Sequence, residues 1–463
     1  MTSRHFVACT ALTFAVAGSS ELHAQAETPP LPAAPKAFRI PAHRTFSMRN
    51  GMQVTLVHYG SVPKVVVTLE MHTGLIDEPT YGAGVASLAM DMLLEGTVAR
   101  SAQDVSRQAA NMGGAINVSV GAVTSTIGGE VLSEHTARFV NLLSDVVRHA
   151  ALGTRDFERV RQNHLRDLAI TMQNAGDLAR QRWREMIFPG QPFGRPYSFE
   201  GTLKTIQLGH IRNFLDDNFG AGRAHLYISG VFDDATIERA VRTDFSDWDA
   251  GTPSIPRVPK PVSEQQFDLI DRPGAVQSTV WVGLPVIDPS NPDFVKFEVT
   301  NALLGGAFGS RITSNIREDK GYTYSPYSSI WRHQGASYWV ETADVTTKDT
   351  GASLQEIFNE IAILRSDAPP VAELDGIKQN VVGLFAIENS SRAGIVNQLR
   401  YIDEHKLGEA FLTDFVTNVM SVQPDDVRRA AQSQLDPKRM TITVVGDSKV
   451  IASQLFPFQK MIP

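Results

Sequence analysis

GVASLAMDMLLEGT, residues Gly84 to Thr97, is the stretch on which the reading of this chain turns. Its apolar residues suit a core-facing helix, with Gly84 ahead of it and Gly96 closing it. In such a helix Ser87 and Asp91 stand one turn apart on one face, with Met90 beside them. The Met and Leu positions from Met90 to Leu94 are most simply a helix packing into a core. Imidazoles are absent from the segment and scattered elsewhere. The chain has 12 His, and no two of them are spaced by three, four or five residues, so no helix offers a paired-imidazole metal site.

Composition narrows the function class. With 42% hydrophobic residues and a net charge of −7 of mixed sign, the chain is globular and too long for one ordinary domain. No basic cluster with interleaved aromatics occurs, which argues against a nucleic-acid partner. The start combines Arg4 and His5, an apolar run from Phe6 to Gly18, and Ala24-Gln25-Ala26. It reads as a secretory signal peptide spanning 1–26, too short for a permanent membrane anchor. Phe6-Val7-Ala8-Cys9 resembles a lipobox superficially, but the apolar run continues beyond Cys9. Cleavage would remove the one cysteine, leaving a mature chain without disulfides. No later apolar run reaches transmembrane length. Export of a cysteine-free chain points to a soluble periplasmic protein.

A Pro-rich connector, AGTPSIPRVPKPV at residues 250–262, separates 27–249 from 263–463. The halves repeat one order of elements. In the first, strands are expected at Gln53–Tyr59 and Val65–Gly74, and helices through Gly84–Glu95 and from the N-cap Ser101 to Asn111. A hairpin follows at Ala115–Val120 and Ser125–Val131, then helices at Glu134–Ala150 and Arg155–Gln173. Strand Ala224–Gly230 and a short helix through Ile237–Thr243 close the half. In the second, strands are expected at Phe267–Asp271, Ser278–Pro285, Tyr322–Arg332 and Ser337–Asp344. Helices are expected at Asp293–Leu304 and Ser310–Asp319, with three or four more between Ser353 and Gln434. Lys348 to Glu360 looks like a solvated helix start. Strand Met440–Gly446 echoes Ala224–Gly230. A duplicated α+β unit is the architecture this order implies.

The second half also carries LGGAFGSR, Leu304 to Arg311, followed by IREDKGYTYS, Ile316 to Ser325. Arg317 is expected in the last turn of a helix, Gly321 lets the chain reverse, and Tyr324 projects from the next strand. A fixed guanidinium beside a phenol suits gripping a peptide carbonyl. The bland alternative is a solvated helix-end Arg317 and a buried strand Tyr324, and Arg311 and Tyr322 compete for the same roles. The glycines lack the Gly-Lys-Ser/Thr ending of a phosphate loop. No Gly-x-Ser-x-Gly elbow occurs, and no cysteine nucleophile would survive cleavage.

These pieces together resemble the pitrilysin/insulinase family of zinc metallopeptidases over essentially the whole mature chain. The matching segments are Asn50-Gly51-Met52, Gly84–Thr97, Gly113 to Asn117, Phe157–Leu168, and the Leu304–Ser325 motif. The resemblance implies two homologous α+β domains, each a mostly antiparallel sheet with helices packed on one side, forming half of a clamshell around a peptide chamber. Family members carry His-x-x-Glu-His in the frame where this chain has Ser87, Met90 and Asp91. Glu134-His135 and Glu404-His405 have part of that motif, but their partner positions are Val131 and Tyr401. A third family ligand, a Glu, would fall at Arg166 or Asp167. Every ligand position is substituted, which implies a subunit that holds no metal or other cofactor. Arg317 and Tyr324 match the family pair that faces the zinc from the C-terminal domain. The expected role is the metal-free subunit of an exported heterodimeric zinc peptidase. Its partner would be a paralogous subunit carrying the zinc, and its substrates peptides. The alternative is a non-catalytic scaffold or peptide-binding protein of the same fold.

The signal-peptide reading predicts a mature chain beginning at or next to Glu27. Mass spectrometry of protein recovered from the native host tests it. An intact Met1 on exported protein, or a lipid on Cys9, would contradict it.

Overall fold

The computed structural model describes residues 35–459. The segment 1–26, expected to be a signal peptide, and Cys9 lie outside the described residues. Two sheets organise the chain. The first is built from β1 (His43–Ser47), β2 (Gln53–His58), β3 (Lys64–Met71), β4 (Asn117–Val120), β5 (Ser125–Leu132) and β6 (Ala224–Gly230), in the order β1-β2-β6-β3-β5-β4. The second contains β7 (Gln266–Asp271), β8 (Gln277–Pro285), β9 (Tyr327–Trp331), β10 (Tyr338–Thr346) and β11 (Thr441–Gly446), in the order β7-β11-β8-β10-β9. Without β1, the two orders correspond strand for strand. In each, one parallel pair (β2 with β6, β7 with β11) joins an otherwise antiparallel sheet. This is the expected α+β duplication.

The helices repeat too. In the first half these are α1 (Val85–Leu93), α2 (Ala102–Asn111), α3 (Thr136–Arg148), α4 (Thr154–Thr171), α5 (Ala175–Ile187), α6 (Glu200–Thr205), α7 (Leu208–Asn218) and α8 (Asp234–Phe245). In the second they are α9 (Phe294–Asn301), α10 (Thr350–Ser366), α11 (Val371–Glu388), α12 (Arg392–Glu404), α13 (Ala410–Thr413), α14 (Phe415–Ser421), α15 (Pro424–Gln434) and α16 (Ser448–Gln459). The Ser101 hydroxyl caps α2 by accepting from the Asp104 N–H at 3.1 Å, as its position before the helix implied. Residues 250–265 carry no regular secondary structure, in keeping with the prolines there.

Strand alternation assigns each sheet two buried faces. On the first sheet, Val65, Val67, Leu69, Leu226 and Ile228 join a core with Phe139 and Val140 of α3 and Val241 and Phe245 of α8. The opposite face presents Val66 and Tyr227, which pack with Leu399 and Ile402 of α12 from the other half. The second sheet mirrors this. Val280, Val282, Val444 and Trp339 face Leu354 and Ile357 of α10. Tyr338, Val340 and Trp281 face Trp183 and Ile187 of α5, which comes from the first half. Each half's own helices thus cover one side of its sheet, and the other half lends one helix to the second side.

Polar contacts fix the exchange. Arg400 of α12 donates through Nε to Oε2 of Glu70 on β3 at 2.5 Å, and Glu70 is 0% exposed. Arg392 grips Glu130 with bonds of 2.6 and 2.8 Å, and the Tyr227 hydroxyl donates to Asp403 at 2.6 Å. In the reciprocal contact, Trp183 Nε1 donates to the Thr441 carbonyl at 2.9 Å.

Three expectations need correction. Lys348–Glu360 is not simply a solvated helix start, since Thr350, Ser353, Leu354, Ile357 and Phe358 of α10 are buried. The strand expected from Tyr322 begins at Tyr327, because Tyr322 and Thr323 bond instead to Thr346 and the Asp344 carbonyl. The helices expected to end at Leu304 and Asp319 both widen into π-helical turns, at Ala302–Gly306 and Thr313–Asp319.

Removing one partner of the Arg400–Glu70 pair leaves a charge stranded in the sheet. Arg400→Ala is expected to cost about 3–5 kcal/mol, while Glu70→Met with Arg400→Met recovers most of the loss. Guanidinium-induced unfolding of the three proteins measures both effects.

Candidate functional site

The α1 position comes first because its side chains decide what chemistry the first half retains. Ser87 and Asp91 line a cavity with His164, Asp167, Arg195 and Tyr197. Met90 is turned away and 1% exposed, packed into the sheet-facing core. The Asp91 carboxylate is engaged by His164 Nε2 at 2.6 Å, across from α1 to α4. Asp167 is solvated, its one close cation being the neighbouring Arg166 at 3.8 Å. Glu78 sits at the start of α1, where one carboxylate oxygen accepts the Gly84 and Ala86 N–H groups at 3.0 and 3.1 Å. Burial pushes its carboxyl up to about 7, against the lowering effect of those two bonds.

Arg317 and Tyr324 lie in the second half and line no part of that cavity. Arg317 occupies the last turn of the π-helix at Thr313–Asp319. Gly321, at φ +64°, turns the chain, a conformation costly for residues with a Cβ. Tyr324 follows in a bend before β9, not on the strand, and is 77% exposed. The guanidinium carbon of Arg317 stands 4.8 Å from the Tyr324 ring centroid and 4.6 Å from that of Phe308. Its Nε stands 3.0 Å from a Glu318 carboxylate oxygen, an ion pair.

The competing residues are committed elsewhere. Arg311 forms a two-pronged bond with Glu373 of α11 at 2.7 and 2.8 Å. Tyr322 is half-buried against the second-half core. Tyr324 is not the buried strand aromatic of the bland alternative. The turn carrying Arg317 is anchored by Ile316, 0% exposed, and by Asn315, which donates to Glu356 and Glu360 of α10 at 3.0 and 2.7 Å.

Beneath the glycine segment lies Glu341 of β10, 0% exposed, whose carboxyl oxygens make no well-aligned hydrogen bond, the Tyr327 backbone being a weak partner at most. Burial holds its carboxyl well above the ordinary value of 4.5, so it is neutral there. A Cβ at Gly305 would stand 2.5 Å from Glu341 Oε2 and 2.6 Å from Ser328 Oγ. Glycine at 305 is a packing requirement here.

His164, Glu78 and Phe308 were not singled out from sequence. His164 had a signal in its place one helical turn before Asp167 on α4. Phe308 stood in a motif whose glycines drew the attention. Nothing local marked Glu78 as the carboxylate under α1.

Two family models match the chain: "Insulinase (Peptidase family M16)" over residues 53–198, and "Peptidase M16 inactive domain" over residues 205–381. Together they span most of its length, and the chain belongs to the insulinase family of peptidases, M16. A protein of Streptomyces coelicolor named an uncharacterized zinc protease is 25% identical, covering 88% of this chain and 90% of its own. One of the same description from Rickettsia felis is 23% identical over 62% of this chain and 70% of its own. Among solved structures, a peptidase M16 inactive domain from Pseudomonas fluorescens superposes with TM-score 0.80 at 22% identity, covering 87% of this chain and 98% of its own. A protease from Helicobacter pylori superposes with TM-score 0.82 at 17% identity, covering 88% and 100%.

The donor set here does not fit the zinc the family name implies. Among the described residues no three His, Cys, Asp or Glu side chains converge to hold a metal. The one carboxylate on the α1 face is taken by His164, Met90 points into the core, and a serine hydroxyl is a poor zinc ligand.

Because Glu341 has a raised carboxyl pKa in the folded chain, its contribution to stability is fullest below the unfolded value and falls as pH rises past about 4.5. The loss approaches 1.4 kcal/mol per pH unit until the buried group ionises. Glu341→Gln is expected to flatten this slope, matching the parent near pH 4 and unfolding at higher denaturant by pH 8. Denaturation midpoints across that range test it.

Proposed function

We propose that this chain is the metal-free subunit of an exported, heterodimeric insulinase-type zinc peptidase, acting in the periplasm. A zinc-bearing paralogue would be its partner, and peptides its substrates. One observation carries the reading. On α1 the carboxylate of Asp91 is bonded to His164, while in the second half the Arg317 guanidinium stands 4.8 Å from the exposed Tyr324 ring. Neither residue lines the cavity beside α1, which supports the reading that the pair acts in a site completed by another chain. No helix among the described residues is long and apolar enough to cross a membrane.

In this reading, water activation belongs to the partner's metal. This chain's part is electrostatic. Arg317 donates to the scissile carbonyl oxygen as negative charge develops on it, and the Tyr324 hydroxyl supplies a second donor. Both are carried on a turn already fixed to α10, so little reorganisation is needed when substrate arrives.

The test is to purify the chain alone, the paralogue alone and the mixture, and to measure zinc and peptide hydrolysis in each. The isolated chain is expected to hold no stoichiometric zinc and cleave nothing. In the mixture, Arg317→Ala and Tyr324→Phe should each lower kcat on the order of a hundredfold, with complex formation and the partner's zinc unchanged. About one zinc bound per isolated chain overturns the metal-free assignment. Unchanged kcat in both variants, with the heterodimer intact, makes the chain a scaffold.

A further inference from the structure

Two aromatic rings flank the Arg317 guanidinium. Tyr324 has the family motif to account for its place. Phe308 does not. It is 74% exposed, in a segment whose neighbour Ala307 is buried and whose turn is closed by the Ala307 N–H to the Ala302 carbonyl at 3.0 Å. An exposed phenylalanine is ordinary by itself; what singles this one out is the Arg317 guanidinium 4.6 Å from its ring.

The donors of Arg317 can be accounted for one by one. Its two ring contacts, at 4.6 and 4.8 Å, occupy the guanidinium's surface on the Phe308 and Tyr324 sides. Nε forms an ion pair with Glu318, 3.0 Å from its carboxylate oxygen. Among the described residues no hydrogen-bond acceptor is recorded for Nη1 or Nη2. The terminal edge therefore remains open, and that edge recognises carbonyl and carboxylate oxygens in a planar, two-pronged manner. A free arginine side chain carries roughly 2 kcal/mol of rotamer entropy, which a substrate would otherwise have to remove.

We propose that Phe308 is a positioning residue. With Tyr324 it sandwiches the Arg317 guanidinium, so that the Nη edge is presented outward, already oriented, to an oxygen of the bound peptide. The role rests on the proposed function for its catalytic consequence. The sandwich itself belongs to the isolated chain and is tested there independently.

In the isolated chain, arginine side-chain NMR reads the arrangement directly. Ring currents should shift the Arg317 Nε and Cζ resonances, and stacking should slow rotation about the Nε–Cζ bond. Phe308→Ala should reduce the shift and speed the rotation, and Phe308→Tyr should preserve both. In the mixed peptidase, Phe308→Ala should lower kcat about fivefold, the size expected of one exposed cation–π contact, with KM nearly unchanged and Phe308→Tyr restoring activity. In an Arg317→Ala background the same substitution should add no further loss.

Arg317 signals indifferent to Phe308→Ala overturn the proposal. So does a raised KM at constant kcat, which would make Phe308 a substrate contact, or an equal loss in the Arg317→Ala background. A mixed enzyme that ignores Arg317→Ala altogether defeats the proposed function instead, and the NMR result still decides the sandwich.

Discussion

Glu70 sits at the centre of the first sheet with no exposed surface, and its ion-pair partner is Arg400, some 330 positions later in the chain. An ionised carboxylate in that place is tolerable only if its counter-charge arrives with good geometry. The requirement couples the halves. The first sheet is complete only when α12 of the second half lies across it, and the second only when Trp183 of α5 reaches the Thr441 carbonyl. Apolar packing supplies the bulk of the contact, through Tyr227, Leu399 and Ile402 on one side and Trp183, Ile187 and Tyr338 on the other. The buried polar pairs select the register. Arg392 and Asp403, at either end of α12, repeat the logic by bonding to Glu130 and Tyr227.

This exchange explains why the duplicated halves diverged in chemistry and not in shape. The elements holding the halves together, α5 and α12, are distinct from those carrying the candidate sites. The solvent-facing positions of α1 and of the Leu304–Ser325 segment, Ser87, Asp91, Phe308 and Tyr324, can therefore change without opening the core. At α1 the change is complete: Asp91 and His164 bridge α1 and α4 directly at 2.6 Å. At the second-half motif, by contrast, the exposed rings of Phe308 and Tyr324 beside the part-buried Arg317 serve no evident need of the fold. Arg311 and Ile316, which do serve it, are turned inward.

Much of this was legible in the sequence, and what was hidden was hidden for physical reasons. β2, β5, α1, α2 and β11 announce themselves through local periodicity and caps, and the echo between Ala224–Gly230 and Met440–Gly446 marks the duplication. The exchange of α5 and α12 is a long-range property, and no local pattern in Ala175–Ile187 says which sheet the helix will cover. The late start of β9 follows from the same limit. Tyr322 to Ser325 has the aromatic, β-branched look of a strand, but Thr323 is drawn to β10 through the Asp344 carbonyl and a single bridge to Val345. Tyr324 is thereby left outside the ladder and free to turn toward Arg317. His164 was hidden because its meaning depends on Asp91, which the fold alone brings opposite.

The geometry around Arg317 finally depends on groups that never reach the surface. The two π-helical stretches at Ala302–Gly306 and Thr313–Asp319 are poorer in hydrogen-bond geometry than α-helix, and such turns recur at functional sites. They persist here because tertiary contacts over-determine them. Arg311 ties one stretch to α11, and Asn315 ties it to α10. Gly305 rests where any Cβ would collide with Glu341 and Ser328. Glu341 in the core, its carboxyl held well above the ordinary value by burial and without a well-aligned hydrogen bond, is a cost to the fold. It is coherent only as part of the packing that sets the path from Gly305 through Phe308 to Arg317. The buried carboxyl of Glu341 and the part-buried guanidinium of Arg317 are thus linked by one packed segment of chain.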